Sequence, residues 1–376
     1  MKKLPFGLLI LILLMAACGG AAPRSAPPST AFWEATATRA ILQPPATVEP
    51  AAEAAPATTT ESATLDQLRT LASLRRISDF PLYEMHFYGD YGFSSFLREG
   101  AEIHNSAQSD LAGIADGWAC TCFAVLNDKG DLVFGRNFDW YMHPALILFT
   151  NPSGGYASVS MVDMSYLGYG VEEPSWAERE GLLDAPYFPF DGLNEHGLAI
   201  GTMAVSHADG GEDPDKVTIG SLHVIRLMLD YARDVDEAIS LLGDYNIEFG
   251  GGPPLHYLVS DSSGKSAVVE FMDGEVSVIR NSEPWQVATN FVISGTVAEN
   301  RGSICSRYRR AYEALERANG NISPDEAMTV LEDVSQSGAL PTIWSIVYNM
   351  TSGDIEIVVG RQYHQVHQFK LEMRYE

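Results

Sequence analysis

Positive charge is scarce in this sequence. Its 376 residues carry 24 Lys and Arg against 49 Asp and Glu, a formal charge of −25. A nucleic-acid role is therefore disfavoured, because phosphate backbones are held by basic surfaces. Cysteine is scarce too, at four residues. Cys120 and Cys122 are separated by one residue, whereas zinc sites space their cysteines by two to four and need two further ligands. His143 has no His or Cys companion at ligand spacing, so neither a metal nor a cofactor is expected. After the first 15 residues no segment approaches the ~20 continuous apolar residues of a membrane helix. What is plentiful is core material, 46% hydrophobic and 10% aromatic, which excludes disorder throughout and lets the chain bury a full core. Length alone allows two or three domains, or one large domain with appendages.

The start of the chain points to export. Met1-Lys2-Lys3 is a short basic start, Phe6 to Met15 is an apolar run, and small residues follow. This is the layout of a secretion signal. Leu14-Met15-Ala16-Ala17-Cys18 resembles a bacterial lipobox, with Met15 where Leu is usual. The resemblance implies that residues 1–18 are a signal peptide, that Cys18 is lipidated, and that the protein is held extracytoplasmically at the cell membrane or outer membrane. Residues 19–62 are rich in Ala, Pro, Thr, Ser and Glu; such a stretch cannot offset its ordering entropy and reads as a disordered tether.

From Leu65 the pattern changes. Leu65, Leu68, Leu71, Leu74 and Ile77 recur every three residues, which predicts an amphipathic helix from Leu65 to Ile77. The aromatic-dense stretch from Phe80 to Phe93 needs a packed environment, so residues 63–119 are expected to fold against the rest. Beyond it, Thr121–Leu126 and Leu132–Phe134 flank a turn at 127–130 and predict a hairpin. The same logic predicts hairpins around Asn194-Glu195-His196-Gly197 and around Ser262-Ser263-Gly264-Lys265. Helical spacing marks Ile219–Ala232, a second helix capped by Asp234, and helices at Arg310–Ala318 and Pro324–Val334. Late strands follow at Thr342–Tyr348 and Ile355–Val359. Runs of strands separated by blocks of helices argue for α+β layers.

Once Cys18 carries lipid, Cys120, Cys122 and Cys305 remain, an odd number in an exported chain, so at least one free thiol or an intermolecular bridge is expected. That surplus keeps a nucleophile in view. Trp118-Ala119-Cys120-Thr121-Cys122-Phe123-Ala124, followed by Gly135-Arg136-Asn137-Phe138-Asp139-Trp140, resembles the choloylglycine hydrolase and penicillin V acylase family of N-terminal nucleophile hydrolases. Further motifs are Asp191-Gly192-Leu193-Asn194-Glu195-His196-Gly197-Leu198, Val287-Ala288-Thr289-Asn290, Ser306-Arg307-Tyr308 and Thr342-Ile343-Trp344-Ser345, so the likeness runs from Cys120 to about Gly360. The Cys-to-Arg step of 16 and Cys-to-Asp step of 19 select Cys120 over Cys122.

The resemblance implies a four-layer αββα sandwich of antiparallel sheets over 120–376, with 63–119 as a pro-segment. It also implies roles. Cys120 is the nucleophile and its own α-amine the base; Arg136 lies beside the sulfur, and Asp139 holds the amine. Asn290 and the Ala204 backbone N–H receive the oxyanion, and Arg307 stabilises charge behind the nucleophile. The chemistry suits these groups, because a thiol attacks only as thiolate and a tetrahedral intermediate needs preset donors. Asn194 reads mainly as a turn residue. Since 119 residues precede Cys120, a free amine demands cleavage at Ala119–Cys120. The substrate implied is a small N-acyl amide, and Phe138, Trp140, Tyr141, Met142, Tyr156, Met161, Met164, Tyr166, Leu167 and Tyr169 could line an apolar acyl pocket or simply pack the core. The alternatives are an acyltransferase of the same fold and a non-catalytic, lipid-anchored binding protein. Oligomeric state is not readable from the sequence.

Overall fold

Hydrophobic strands that are covered on both faces must lie between other layers, and several strands here are buried at every position. The computed structural model describes residues 65–99 and 119–374, apart from 128 and 251. The expected signal peptide, Cys18, the 19–62 tether and residues 100–118 lie outside the described residues. All described residues fall in one compact unit, Ala63–Glu376.

The N-terminal part supplies α1 (Leu65–Ser73), β1 (Arg75–Ser78), β2 (Leu82–His86) and α2 (Phe93–Glu99). Next come β3 (Ala119–Val125), β4 (Val133–Asp139), β5 (Ala145–Thr150) and β6 (Ser158–Asp163), then short 3-10 segments at Met164–Leu167 and Trp176–Tyr187. The middle of the chain holds β7 (Pro189–Asn194), β8 (Ala199–Ala204), β9 (Val217–Gly220), α3 (Ser221–Tyr231), α4 (Val235–Leu242) and β10 (Tyr245–Glu248). Then follow β11 (Leu255–Ser260), β12 (Ser266–Met272), β13 (Glu275–Arg280), β14 (Trp285–Ala288), α5 (Ala298–Ile304), α6 (Ser306–Arg317) and α7 (Pro324–Val334). The chain closes with β15 (Thr342–Asn349), β16 (Asp354–Val359) and β17 (His367–Lys370).

A nine-stranded sheet runs β1-β2-β5-β6-β7-β8-β11-β12-β13, and a six-stranded sheet runs β14-β3-β4-β15-β16-β17. The first is covered by α3 and α4 and the second by α6 and α7, while β3 touches β8 between the sheets. This is the αββα sandwich. Pairing is antiparallel except for β2 with β5 and the small β9–β10 pair, which are parallel. The inter-sheet approach is tight at Cys122: a Cβ on Gly201 would meet the Cys122 Sγ at 2.9 Å. In the Gly135-Arg136 motif a Cβ on Gly135 would strike the Phe123 ring, so this glycine lets β3 and β4 stack their side chains closely.

One helix is shorter than its pattern. The three-residue spacing continues to Ile77, yet α1 stops at Ser73. There the Ser73 hydroxyl donates to the Thr70 and His86 carbonyls and accepts from the His86 N–H. That anchor turns the chain onto β2, and Arg75 then lies across from Glu84 as a strand partner and ion pair. Asp234 caps α4 as expected, accepting from the Glu237 N–H at 2.9 Å. Ser323 and Glu326 form a capping box at the start of α7.

Candidate active site

The hairpin of β3 and β4 aligns Cys120 with Phe138, Cys122 with Arg136, and Ala119 with Asp139. Cys120 and Cys122 are two residues apart on one strand and so share a face. Both are buried, and with Cys305 they are free thiols. Arg136 reaches back along the strand, placing its Nη2 3.8 Å from the Cys120 Sγ.

Arg136 is fully buried and needs fixed counter-groups. Its Nε lies 3.3 Å from Asp191 Oδ2, and Nη1 donates to the Phe190 carbonyl. Asp191 in turn accepts from Trp344 Nε1 at 3.1 Å and the Tyr348 hydroxyl at 2.6 Å. Burial pushes the Asp191 carboxyl up, and Arg136 and these donors oppose it.

Three different side chains serve the three polar atoms of Cys120. Besides the Arg136 contact to sulfur, its N–H donates to Asn290 Oδ1 at 2.5 Å and its carbonyl accepts from Arg307 Nη1. Arg307 also donates to Thr121 Oγ1 and to Asn290 Oδ1, each at 3.0 Å, and lies 3.8 Å from Asp139 Oδ2. Asn290 Nδ2 donates to the Ala204 carbonyl at 2.9 Å. In the β8–β11 ladder Ala204 stands opposite Leu255, while the next N–H, of Val205, donates to Pro254 O. Because alternate N–H groups of a strand face opposite edges, the Ala204 N–H faces away from β11. Asp139 accepts from Thr342 Oγ1 at 2.5 Å and Gln336 Nε2 at 2.9 Å.

Burial raises the Cys120 thiol above its ordinary range, opposed by the Arg136 charge. Burial thus disfavours the ionised sulfur, with Arg136 offsetting part of that cost. Burial likewise pushes Asp139 up to about 6, against the pull of Arg307. Cys122 is raised by the same burial.

Cys120, Arg136, Asp139, Asn290, Arg307 and Ala204 therefore come together. Asn194 does not join them. Its amide donates to the Leu229 and Ala232 carbonyls and its Oδ1 accepts from His196 and Leu198 N–H groups, which makes it the hub of the β7–β8 turn. The expected acyl-pocket residues are dispersed: Phe138 stacks on Trp344 at 4.0 Å, Tyr156 packs on His196 at 4.4 Å, and Tyr141 and Met142 are exposed. Tyr166 is buried, and burial raises its hydroxyl well above the ordinary tyrosine range. A cavity of about 720 Å³, lined by Tyr88, Tyr91, Phe96, Leu183 and Tyr187 among others, contains none of the six site residues. Thr121, Asp191, Gln336 and Thr342 are site neighbours that motif reading did not single out; Thr121, Asp191 and Thr342 lay within quoted motifs, but only strand adjacency reveals their partners.

The layers described above have the fold of the N-terminal nucleophile hydrolase sandwich. Residues 120–292 match the model of the linear amide C-N hydrolases, choloylglycine hydrolase family, so this part of the chain is similar to that family. Penicillin V acylase from Pectobacterium atrosepticum is 29% identical over 196 residues, 47% of this chain and 50% of the relative. An uncharacterised protein of Paramecium bursaria Chlorella virus 1 is 33% identical over 109 residues, 27% of this chain and 38% of the relative. The chain thus spans half or less of the curated relatives it matches. Among solved structures, penicillin V acylase from Agrobacterium tumefaciens superposes with a TM-score of 0.52 at 20% identity, covering 67% of this chain and 86% of that one. A mutant conjugated bile acid hydrolase from Clostridium perfringens gives 0.50 at 17%, covering 67% and 92%. These two likenesses establish the fold.

Proposed function

We propose that the protein hydrolyses a linear amide with Cys120 as an N-terminal nucleophile, after cutting its own chain at Ala119–Cys120. One observation carries this reading: the sulfur, nitrogen and carbonyl of the same cysteine are each engaged by a different residue singled out from the sequence. The family match, which begins at Cys120, supports it.

In the first reaction the Cys120 sulfur attacks the Ala119 carbonyl carbon, the C–N bond to Cys120 breaks, and the nitrogen takes the proton. Water then hydrolyses the thioester, leaving a carboxylate on Ala119 and a free amine on Cys120. In turnover that amine, with a reference pKa of ~7.7–8.0, takes the thiol proton as sulfur attacks the substrate carbonyl. Asn290 Nδ2 and the Ala204 N–H receive the oxyanion, the Asp139 carboxylate balances the charge at the amine, and Arg307 stabilises negative charge behind the nucleophile. Collapse expels the product amine with the proton, and water releases the acid from the thioester. Asn290 exchanges its bond to the Ala204 carbonyl for the oxyanion in this scheme. The substrate is an N-acyl amide with an apolar acyl group, and Cys18 lipid holds the enzyme at the extracytoplasmic membrane face.

The test is a panel of aminocoumarin amides bearing short, long and phenoxyacetyl acyl groups, together with penicillin V. Wild type is expected to release amine from at least one, Cys120→Ala from none and without self-cleavage, and Cys122→Ala to remain cut. Turnover by Cys120→Ala would overturn the assignment; an uncut, inert wild type would favour a binding protein.

A further inference from the structure

His256 and Glu270 are buried and lie outside the chemistry just described. They face each other across β11 and β12, one position beyond the Tyr257–Val269 pair, with His256 Nδ1 3.0 Å from Glu270 Oε1. The other ring nitrogen, Nε2, lies 2.7 Å from the Thr289 carbonyl. Carbonyl oxygen only accepts, so Nε2 carries a proton and donates. Glu270 accepts from the Ile293 N–H through Oε1 at 2.6 Å and from the Ser294 N–H through Oε2 at 2.9 Å. Glu270 and the Thr289 carbonyl thus hold the two ring nitrogens of His256 from opposite sides. Burial raises this carboxyl, but bonds from His256, Ser294 and Ile293 outweigh it and hold it down to about 2.

The residues gripped in this way bracket Asn290. The Phe291 N–H also donates to the Thr289 carbonyl, at 3.0 Å, which makes Asn290 the central residue of a three-residue γ-turn. His256 fixes the carbonyl that closes this turn, and Glu270 fixes the two N–H groups just after it. The strand bearing His256 also carries Leu255, the partner of Ala204. Both groups assigned to the oxyanion therefore take their position from one end of β11.

We infer that His256 and Glu270 are positioning residues that lock the Thr289–Ser294 turn so that Asn290 meets the oxyanion. The inference rests on the proposed role of Asn290. Losing one oxyanion donor costs about 10²–10³ in kcat, and a misplacement of about 1 Å costs about 10²-fold, so loosening the turn approaches the effect of deleting the amide.

The experiment is a double-mutant cycle on the full chain, using the aminocoumarin amide that wild type turns over fastest, normalised to the self-cleaved fraction. His256→Gln and Glu270→Gln are each made alone and with Asn290→Ala, and melting is followed by circular dichroism. A variant that folds without cutting is read by its rate of self-cleavage in the same cycle. If one brace variant fails to fold, the other carries the test. The expected result is a fall in kcat of about 10²-fold with KM changed less than about twofold, and less than about threefold further loss when Asn290 is already Ala. A brace effect that multiplies in full onto Asn290→Ala, or no loss in either brace variant, overturns the inference. If Asn290→Ala itself leaves kcat intact, it is the oxyanion assignment that falls, and the brace role falls with it.

Discussion

Asp139 has no exposed surface, and its ordinary carboxyl value of 3.8 is raised by burial to about 6 in the uncut chain. A carboxyl whose folded pKa lies above its unfolded one stabilises the fold below about pH 4 and loses that contribution as pH rises through 6. About two units correspond to about 3 kcal/mol. Urea unfolding of Cys120→Ala from pH 4.5 to 7, compared with Cys120→Ala/Asp139→Asn, is expected to show a declining difference curve that flattens above pH 6. A flat difference across this range would contradict the burial argument. Cleavage adds an ammonium beside this carboxylate in the proposed mechanism, a second cation besides the Arg307 guanidinium 3.8 Å away. Of the residues gathered at Cys120, five of the six singled out from the sequence sit in short motifs, whereas Ala204, whose role is that of a backbone N–H, lies in none of them. Asp191, Gln336 and Thr342 act through partners far away in the chain, 55 residues from Arg136 to Asp191 and 197 and 203 from Asp139 to Gln336 and Thr342, and no local pattern encodes such pairings.

At the scale of elements, hairpins and capped helices were legible because turn residues and caps are local: the β7–β8 and β11–β12 hairpins and α7 fall where the sequence puts them. The β2 strand was not, since an aromatic-rich run has no alternation to mark it, and its parallel partner β5 is some 60 residues on. The pairing runs from Leu82 with Ala145 to His86 with Phe149, so residues 82–86 are part of the main sheet. Tyr91 extends the attachment, donating to Asp230 at 2.6 Å, and Asp230 pairs with buried Arg226 at 3.0 Å. Phe93 and Phe96 pack on Tyr187 and His223. Burying Leu82, Tyr83, Met85, Phe87 and Phe93 is worth roughly 1.5–3 kcal/mol each before ordering costs. A chain expressed from Cys120 onward would leave β5 as a bare apolar edge, a known route to aggregation. It is expected to accumulate as insoluble protein, and co-expression with residues 63–119 should restore soluble yield. Equal solubility of the short chain alone would show that β2 is dispensable.

On the scale of the whole molecule, the proposal makes the protein a single translated chain that becomes two associated fragments. The first ends at Ala119 and carries the expected lipid at Cys18, and the second begins at Cys120. Because the first fragment contributes β1 and β2 to the sheet of the second, washing membranes with salt should leave both fragments behind, and denaturant should release the second. The full chain's charge of −25 means that a purely electrostatic attachment to an anionic surface would be repulsive, so retention in salt reports the packed strands and the anchor. The central claim is that Cys120 becomes a free N-terminus. The most direct measurement is N-terminal sequencing, with intact mass, of the folded wild type beside Cys120→Ala. The account predicts Cys-Thr-Cys-Phe-Ala as a new N-terminus in the wild type and an uncut variant; a catalytically active wild type that remains intact across Ala119–Cys120 would contradict it.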